Sequence, residues 1–303
     1  MKKILPVVVF LLVFSIKAKS QEYSFKETFD VKSPAQLAIF TSDGNINVQA
    51  SEQKEIEVRF IAKKKGTLLE INKEELSEYY TLEITQSENS LEIVAKPKYR
   101  NAPFAWEQQV VLSFDIMVPA QTACNLRASD GNILIKDIEG KQICRTSDGN
   151  ITLSNIKGDT EAKASDGNIR ITECKGNSEA IASDGNIKLS DIDGGLYART
   201  SDGNIELINV NGAVTGITSD GHIECEIKNV DHPVDLRTSD GGIILTVPAG
   251  AGFDLEMRGE NLHADFKDFT GDISKNHISG RFNGGGELVK LATSDGKIKL
   301  NFE

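Results

Sequence analysis

Between residues 129 and 245 the apolar positions recur at fixed distances from a Ser-Asp-Gly triplet. The triplet begins at Ser129, Ser147, Ser165, Ser183, Ser201 and Ser219, 18 residues apart, and again at Ser239 after 20 residues. With each Ser counted as zero, offset +4 is Ile133, Ile151, Ile169, Ile187, Ile205, Ile223 and Ile243 without exception. Offset +6 is Ile, Leu or Cys, and offset +9 is Ile138, Ile156, Cys174, Ile192 and Val210. Between +3 and +7 these apolar residues alternate with polar ones such as Lys136, Thr152, Arg170, Lys188 and Glu206. Alternation with a period of two predicts strands with one buried face. A fixed repeat of this length predicts a solenoid, one supersecondary unit stacked on the next.

Each 18-residue unit, or rung, reads as two short strands separated by turns. Asp-Gly suits a tight turn if Gly takes a positive φ and Asp accepts a nearby backbone N–H. A second glycine at +11 (Gly140, Gly158, Gly176, Gly194, Gly212) marks the other corner. One rung cannot bury its Ile and Leu alone, but rungs stacked in register ~4.8 Å apart form continuous apolar columns. Offset +15 is always small (Cys144, Ala162, Ala180, Ala198, Gly216), as expected where the interior is thin. The predicted class is therefore all-β: a single-stranded parallel β-helix with 18-residue rungs. The absence of a six-residue sub-period points to a right-handed coil.

The chain begins with Lys2 and Lys3, an apolar run over residues 4–16, and Ala18-Lys19-Ser20. This reads as a secretory signal peptide, since a run of thirteen is short of the ~20 residues a bilayer span needs. Residues 21–128 read as irregular N-terminal rungs and capping strands. A first Ser-Asp-Gly-Asn-Ile lies at Ser42, strand-like runs cover 55–62, 80–85, 90–95 and 109–118, and Asn72 is placed to cap a short helix. Residues 129–246 are the regular rungs. Residues 247–303 read as degenerate rungs and a cap, because 247–255 resembles 118–126 at the same spacing and Ser294 opens a last triplet. On this reading the Ser294 rung closes the stack.

Charge narrows the partners. The formal net charge is −11, and removal of residues 1–20 deletes four lysines and no acid, which gives −15. So acidic a chain is a poor nucleic-acid binder, and the excess charge disfavours edge-to-edge association. A signal peptide, a Val-Pro-Ala segment and serial Ser-Asp-Gly-Asn-Ile rungs together resemble the bacterial adhesin-like family that is formally a domain of unknown function. The likeness covers nearly all of the mature chain, most clearly residues 118–300. It implies an exported single-stranded β-helix, located in the periplasm, at the cell surface or outside the cell, and it supplies no catalytic residues or cofactor.

Candidate chemistry is sparse. Ser beside Asp in every rung is a turn motif rather than a nucleophile, because catalysis needs a group once and a corner is needed in every rung. Cys144, Cys174 and Cys225 replace core residues. Cys144 and Cys174 lie two rungs apart, about 10 Å, beyond the ~7 Å Cα limit of a disulfide, and Cys124 is out of column, so all four read as buried thiols. His222, His232, His263 and His277 lack metal-ligand spacing. The column Asp130, Asp148, Asp166, Asp184, Asp202, Asp220 and Asp240 places like charges about 5 Å apart. Two remedies offer themselves: each Asp caps its own turn, assisted by an amide ladder of the Asn at +3, or Ca²⁺ bridges neighbours. Turn capping is the preferred reading. Tyr99, Phe104 and Trp106 form an aromatic cluster able to stack on a sugar or to cover the end of the helix. Glu260, Asp265, Asp268 and Asp272 are the acids a glycoside-cleaving site would use. The function expected is a non-catalytic adhesive or scaffolding surface that meets surface glycans or other envelope proteins. A polysaccharide lyase or hydrolase, or a carbohydrate-binding module, is the alternative.

Overall fold

The computed structural model describes residues 22–98 and 109–303; residues 1–21 and 99–108, which include the signal-like segment and the Tyr99, Phe104 and Trp106 cluster, lie outside them. The chain is an all-β parallel β-helix. Two 14-stranded sheets, here A and B, face each other, and each regular rung gives one strand to each. In the first regular rung Ile133–Glu139 belongs to sheet A and Gln142–Thr146 to sheet B. The registers are those the offsets predict. Ile133 pairs with Ile151, then Ile169, Ile187, Ile205, Ile223, Ile243 and finally Ile298. All of these are buried, and each buried Ile or Leu is worth roughly 1.5–3 kcal/mol.

The inward position at +9 breaks strict alternation after +4 and +6, and the backbone shows why. The residue at +8 takes a left-handed conformation in five successive rungs: Asp137, Asn155, Glu173, Asp191 and Asn209, with φ between 52° and 61°. One residue is absorbed in that kink, so Ile138, Ile156, Cys174, Ile192 and Val210 turn inward again. Asn and Asp tolerate this conformation better than other residues with a side chain, which accounts for four of the five. The corner glycines at +11 have φ from 136° to 153°, a region open in practice only to glycine.

The glycine of Ser-Asp-Gly serves another purpose than the positive φ expected of it. None of the seven from Gly131 to Gly241 has a positive φ. A Cβ on Gly167 would instead lie 1.8 Å from the carbonyl oxygen of Gly149 in the preceding rung, and Gly131, Gly149, Gly185, Gly203, Gly221 and Gly241 are equally tight. Close backbone approach, not turn conformation, requires glycine there.

At both ends the rungs do not follow chain order. The rung formed by Ala35–Phe40 and Ile46–Ser51 lies between Thr122–Arg127 with Ile133–Glu139 on one side and Ser90–Pro97 with Val110–Pro119 on the other. The chain leaves this rung, builds the cap beneath it, and returns across it to start the regular stack. In the cap Glu55–Lys64 runs antiparallel to Val110–Pro119, Phe25–Asp30 antiparallel to Glu55–Lys64, and Tyr80–Gln86 antiparallel to Ser90–Pro97. The short helix Lys73–Leu76 has the expected Asn72 cap: Asn72 Oδ1 accepts the Glu75 N–H at 2.9 Å, and Glu75 accepts the Asn72 N–H.

The other end mirrors this arrangement. Leu288–Ala292 lies between Val234–Arg237 and Phe253–Arg258, and Lys297–Phe302 between Ile243–Val247 and Asn261–Ala264. The Ser294 rung therefore does not close the stack, as expected from sequence; it is tucked one rung inside. The worn rung does continue the isoleucine column, with Leu262 paired to Ile298, but as the outermost layer. Mostly tilted rings of Phe253, Phe282, Phe269 and Phe302, with centroids 5.0–6.3 Å apart, fill this end.

Replacing Gly167 with Ala should lower stability by about 3 kcal/mol or more, since the clash is with backbone and no side chain can move to relieve it. Asp166→Ala, on the exposed side of the same turn, should stay within about 0.5 kcal/mol. Equal denaturation midpoints for the two variants would refute the close-approach account.

Candidate functional site

The Ser-Asp-Gly-Asn corner is the most repeated surface of the molecule, and its backbone accounts for nearly all its hydrogen bonds. The Ser147 and Asp148 amides both donate to the Ser129 carbonyl at 2.9 Å, a pattern kept through Ser294 and Asp295 on Ser239. The amide at +3 donates to the side-chain oxygen of the preceding Asn. Asn132 N donates to Asn45 Oδ1, Asn150 N to Asn132 Oδ1, and so on to Asn204, at 2.8–2.9 Å. The amide ladder is thus present. His222 extends it: its own N–H donates to Asn204 Oδ1, and its Nδ1 accepts the Gly242 N–H at 2.9 Å. That role requires the tautomer with its proton on Nε2.

Threonine hydroxyls add a further tie. Thr146, Thr200, Thr218, Thr238 and Thr293, each just before a triplet, are buried. Their hydroxyls lie 2.9–3.1 Å from the Ser and Gly carbonyls of the preceding rung. In four of them Oγ1 also accepts the N–H of the glycine that follows, at 3.1–3.3 Å. The signal was a Thr before six of the nine triplets. The first of these, Thr41, has a buried Oγ1 without a partner among the described residues. The strand beneath it, Val110–Pro119, offers no Ser-Asp-Gly turn to receive it.

With these amides satisfied elsewhere, the aspartates are not needed as caps of their own turns, contrary to the preferred reading. Asp130, Asp148, Asp166, Asp184, Asp202, Asp220 and Asp240 stand exposed as a file of carboxylates. Among the described residues no group of three or more His, Cys, Asp or Glu is placed to hold a metal ion. Glu260, Asp265, Asp268 and Asp272 are likewise exposed. They are spread from the turn after Phe253–Arg258 to the hairpin strand Phe269–Ile273, and Asp265 accepts the N–H of Lys267. The four cysteines are free and buried. Burial pushes the Cys124 and Cys225 thiols up to about 12 and raises those of Cys144 and Cys174, so they act as small apolar groups.

The outward faces of the sheets vary from rung to rung. On sheet B, Glu161 lies between Arg145 at 2.5 Å and Lys163 at 3.1 Å, and Lys163 also reaches Glu179 at 3.0 Å. Burial alone would raise the Glu161 carboxyl, but hydrogen bonds from Lys163 and Arg145 hold it below the usual range. Beside this ladder runs a groove lined by residues that include Lys141, Asp159, Asn177, Glu179, Tyr197 and Thr215, with Gly195 and Ala213 among them. Tyr197 stands directly between Glu179 and Thr215 in the pairing. Asp159 Oδ1 accepts the Asn177 N–H, and Asn177 Oδ1 accepts the Gly195 N–H. The sequence did not single out Tyr197, because offset +14 (Ile143, Glu161, Glu179, Tyr197, Thr215) has no constant character.

A family model described as Toastrack DUF4097 matches residues 35–301. No curated protein matches the chain. Among solved structures, a candidate cell adhesion protein from Clostridium sporogenes is similar at 10% identity and TM-score 0.26, over 92% of this chain and 99% of that one. A candidate adhesin from Bacteroides fragilis is similar at 12% identity and TM-score 0.40, over 92% of this chain and 96% of that one.

Two outcomes are expected at the corner. Melting after chelation should be unchanged by millimolar Ca²⁺; a rise of several degrees that Mg²⁺ does not reproduce would establish bridging by the Asp file. His222→Asn should match the parent in stability, because Oδ1 can replace Nδ1 in the ladder. His222→Leu should lose about 1 kcal/mol, one hydrogen bond. Equal denaturation midpoints for the Asn and Leu variants would remove the ladder role of His222.

Proposed function

Because the chain belongs to the Toastrack DUF4097 family, whose matched segment runs from the first rung to the last strand, we propose that it works as this stack works, by presenting surface. It is a non-catalytic β-helix, exported by its N-terminal segment, that serves at the cell surface or in the envelope as an adhesive or scaffolding element. Its partners on this reading are surface glycans or other envelope proteins.

The observation that carries this reading is the contrast between the two sides of each strand. Inward positions repeat one small set of residues, whereas outward positions on sheet B change sign and character from rung to rung: Arg145, Glu161, Lys163, Glu179, Tyr197, Arg199. The interior holds these groups about 4.8 Å apart on a rigid plane. A partner that binds such a plane meets many weak contacts at once and is held by their number.

The test is incubation of labelled full-length protein with glycan arrays and with intact cells, alongside an assay for new reducing ends or unsaturated products. Saturable binding to at least one surface without product release is expected. Product release would support the acids around Asp265 and a polysaccharide-cleaving enzyme. Absence of binding to glycans, cells and envelope fractions alike would end the adhesive reading.

A further inference from the structure

The groove on sheet B differs from every other outward surface of the regular stack in combining an aromatic ring with charges of both signs. Its surroundings on this face hold four cations, Lys141, Arg145, Lys163 and Arg199, and three carboxylates, Asp159, Glu161 and Glu179. The molecule around it carries a net charge of −11. Arg145, Lys163, Glu161 and Glu179 are engaged with one another, so most of the charge on the patch is spent in ion pairs and attracts a polyanion or a polycation less than free charges would.

Tyr197 is half-buried on this wall. Its neighbours at the +12 corner, Gly195 and Ala213, are the smallest of that file, which elsewhere holds Lys141, Asp159 and Asn177. Both line the groove together with Tyr197. Asp159 and Asn177 each use Oδ1 on the backbone ladder. Asn177 Nδ2, one rung from Tyr197, and Asp159 Oδ2, two rungs from it, then remain among the described residues as a donor and an acceptor along the groove, with the Thr215 hydroxyl on the next strand.

We propose that this groove is a binding site for an uncharged glycan chain, with Tyr197 as the stacking platform and Asp159, Asn177 and Thr215 as its hydrogen-bonding partners. A pyranose ring has an apolar C–H face that suits an aromatic ring and a rim of hydroxyls that suits a mixed donor and acceptor edge. The groove crosses the rungs, whose spacing of about 4.8 Å is roughly one sugar unit. Successive sugars would therefore meet successive rungs. The proposal rests on the adhesive reading above and names its ligand class and place.

The experiment is isothermal titration of the full-length protein with neutral oligosaccharides (cello-, xylo-, malto- and N-acetylated chito-oligosaccharides), with polyuronate and chitosan fragments as charged comparators. Tyr197→Ala, Tyr197→Phe and Ala213→Arg are tested beside the parent, with melting curves for each. The expected result is saturable binding of one neutral series, weakened at least tenfold by Tyr197→Ala and by Ala213→Arg, which obstructs the groove, and retained by Tyr197→Phe. Three results would overturn the site: no neutral series binds, only a charged one binds, or binding ignores both Tyr197→Ala and Ala213→Arg. If intact cells are still bound in any of these cases, the adhesive reading survives and only its placement in this groove fails.

Discussion

From Ser42 to Ser239 each Ser carbonyl of the Ser-Asp-Gly corner accepts two amide hydrogens from the rung above, and from Gly131 onward the glycine two residues on sits against the glycine carbonyl below. This contact fixes the separation of the rungs at a point where no side chain intervenes. All other columns inherit their spacing from it. The isoleucines at +4 pack on isoleucines because the corner repeats in register, and the asparagines bond to one another for the same reason. Buried threonines tie the sheet B strand into that corner from inside the coil. The interior can then stay narrow, with Ala162, Ala180 and Ala198 fully buried opposite the larger columns.

A stack of parallel strands leaves two open ends, where unpaired backbone invites further strands. Here both ends are handled by the same device. The chain places one complete rung inside a later one at the start and inside an earlier one at the finish. The last strand, Lys297–Phe302, has a neighbour on each side and cannot peel away as a terminal strand would. What remains outermost is short, as in Asn261–Ala264, or turned antiparallel, as in Phe25–Asp30 and Phe269–Ile273. Phenylalanine rings fill the space where the thin aliphatic core stops.

The surface follows a looser rule than the core. An outward side chain has no partner column that it must match, so substitutions there do not propagate through the stack. The +14 file can pass from Ile143 through two glutamates to Tyr197 and Thr215 without disturbing the residues beneath. This freedom lets one scaffold carry a recognition surface, and it also conceals such a surface from any search for periodicity.

The sequence by itself determined the rung, the two-strand coil, the buried columns and their register, because each is a one-dimensional period written in residue type. It determined the Asn72 cap and the Asn ladder for similar local reasons. The left-handed residue at +8 and the buried Thr at +17 were also written there, in the Asp and Asn of one file and the Thr of the other, but their meaning needed the third dimension. Only the tertiary structure decided why the turn glycine is required, since the clash it avoids lies 18 residues away in sequence and in contact in space. The same holds for the threading of the ends. A worn rung and a good one look alike in order along the chain, and which lies outside depends on long-range pairing that no local period records. Tyr197 belongs to this second class: its significance lies in the small residues and paired charges that neighbouring rungs set around it.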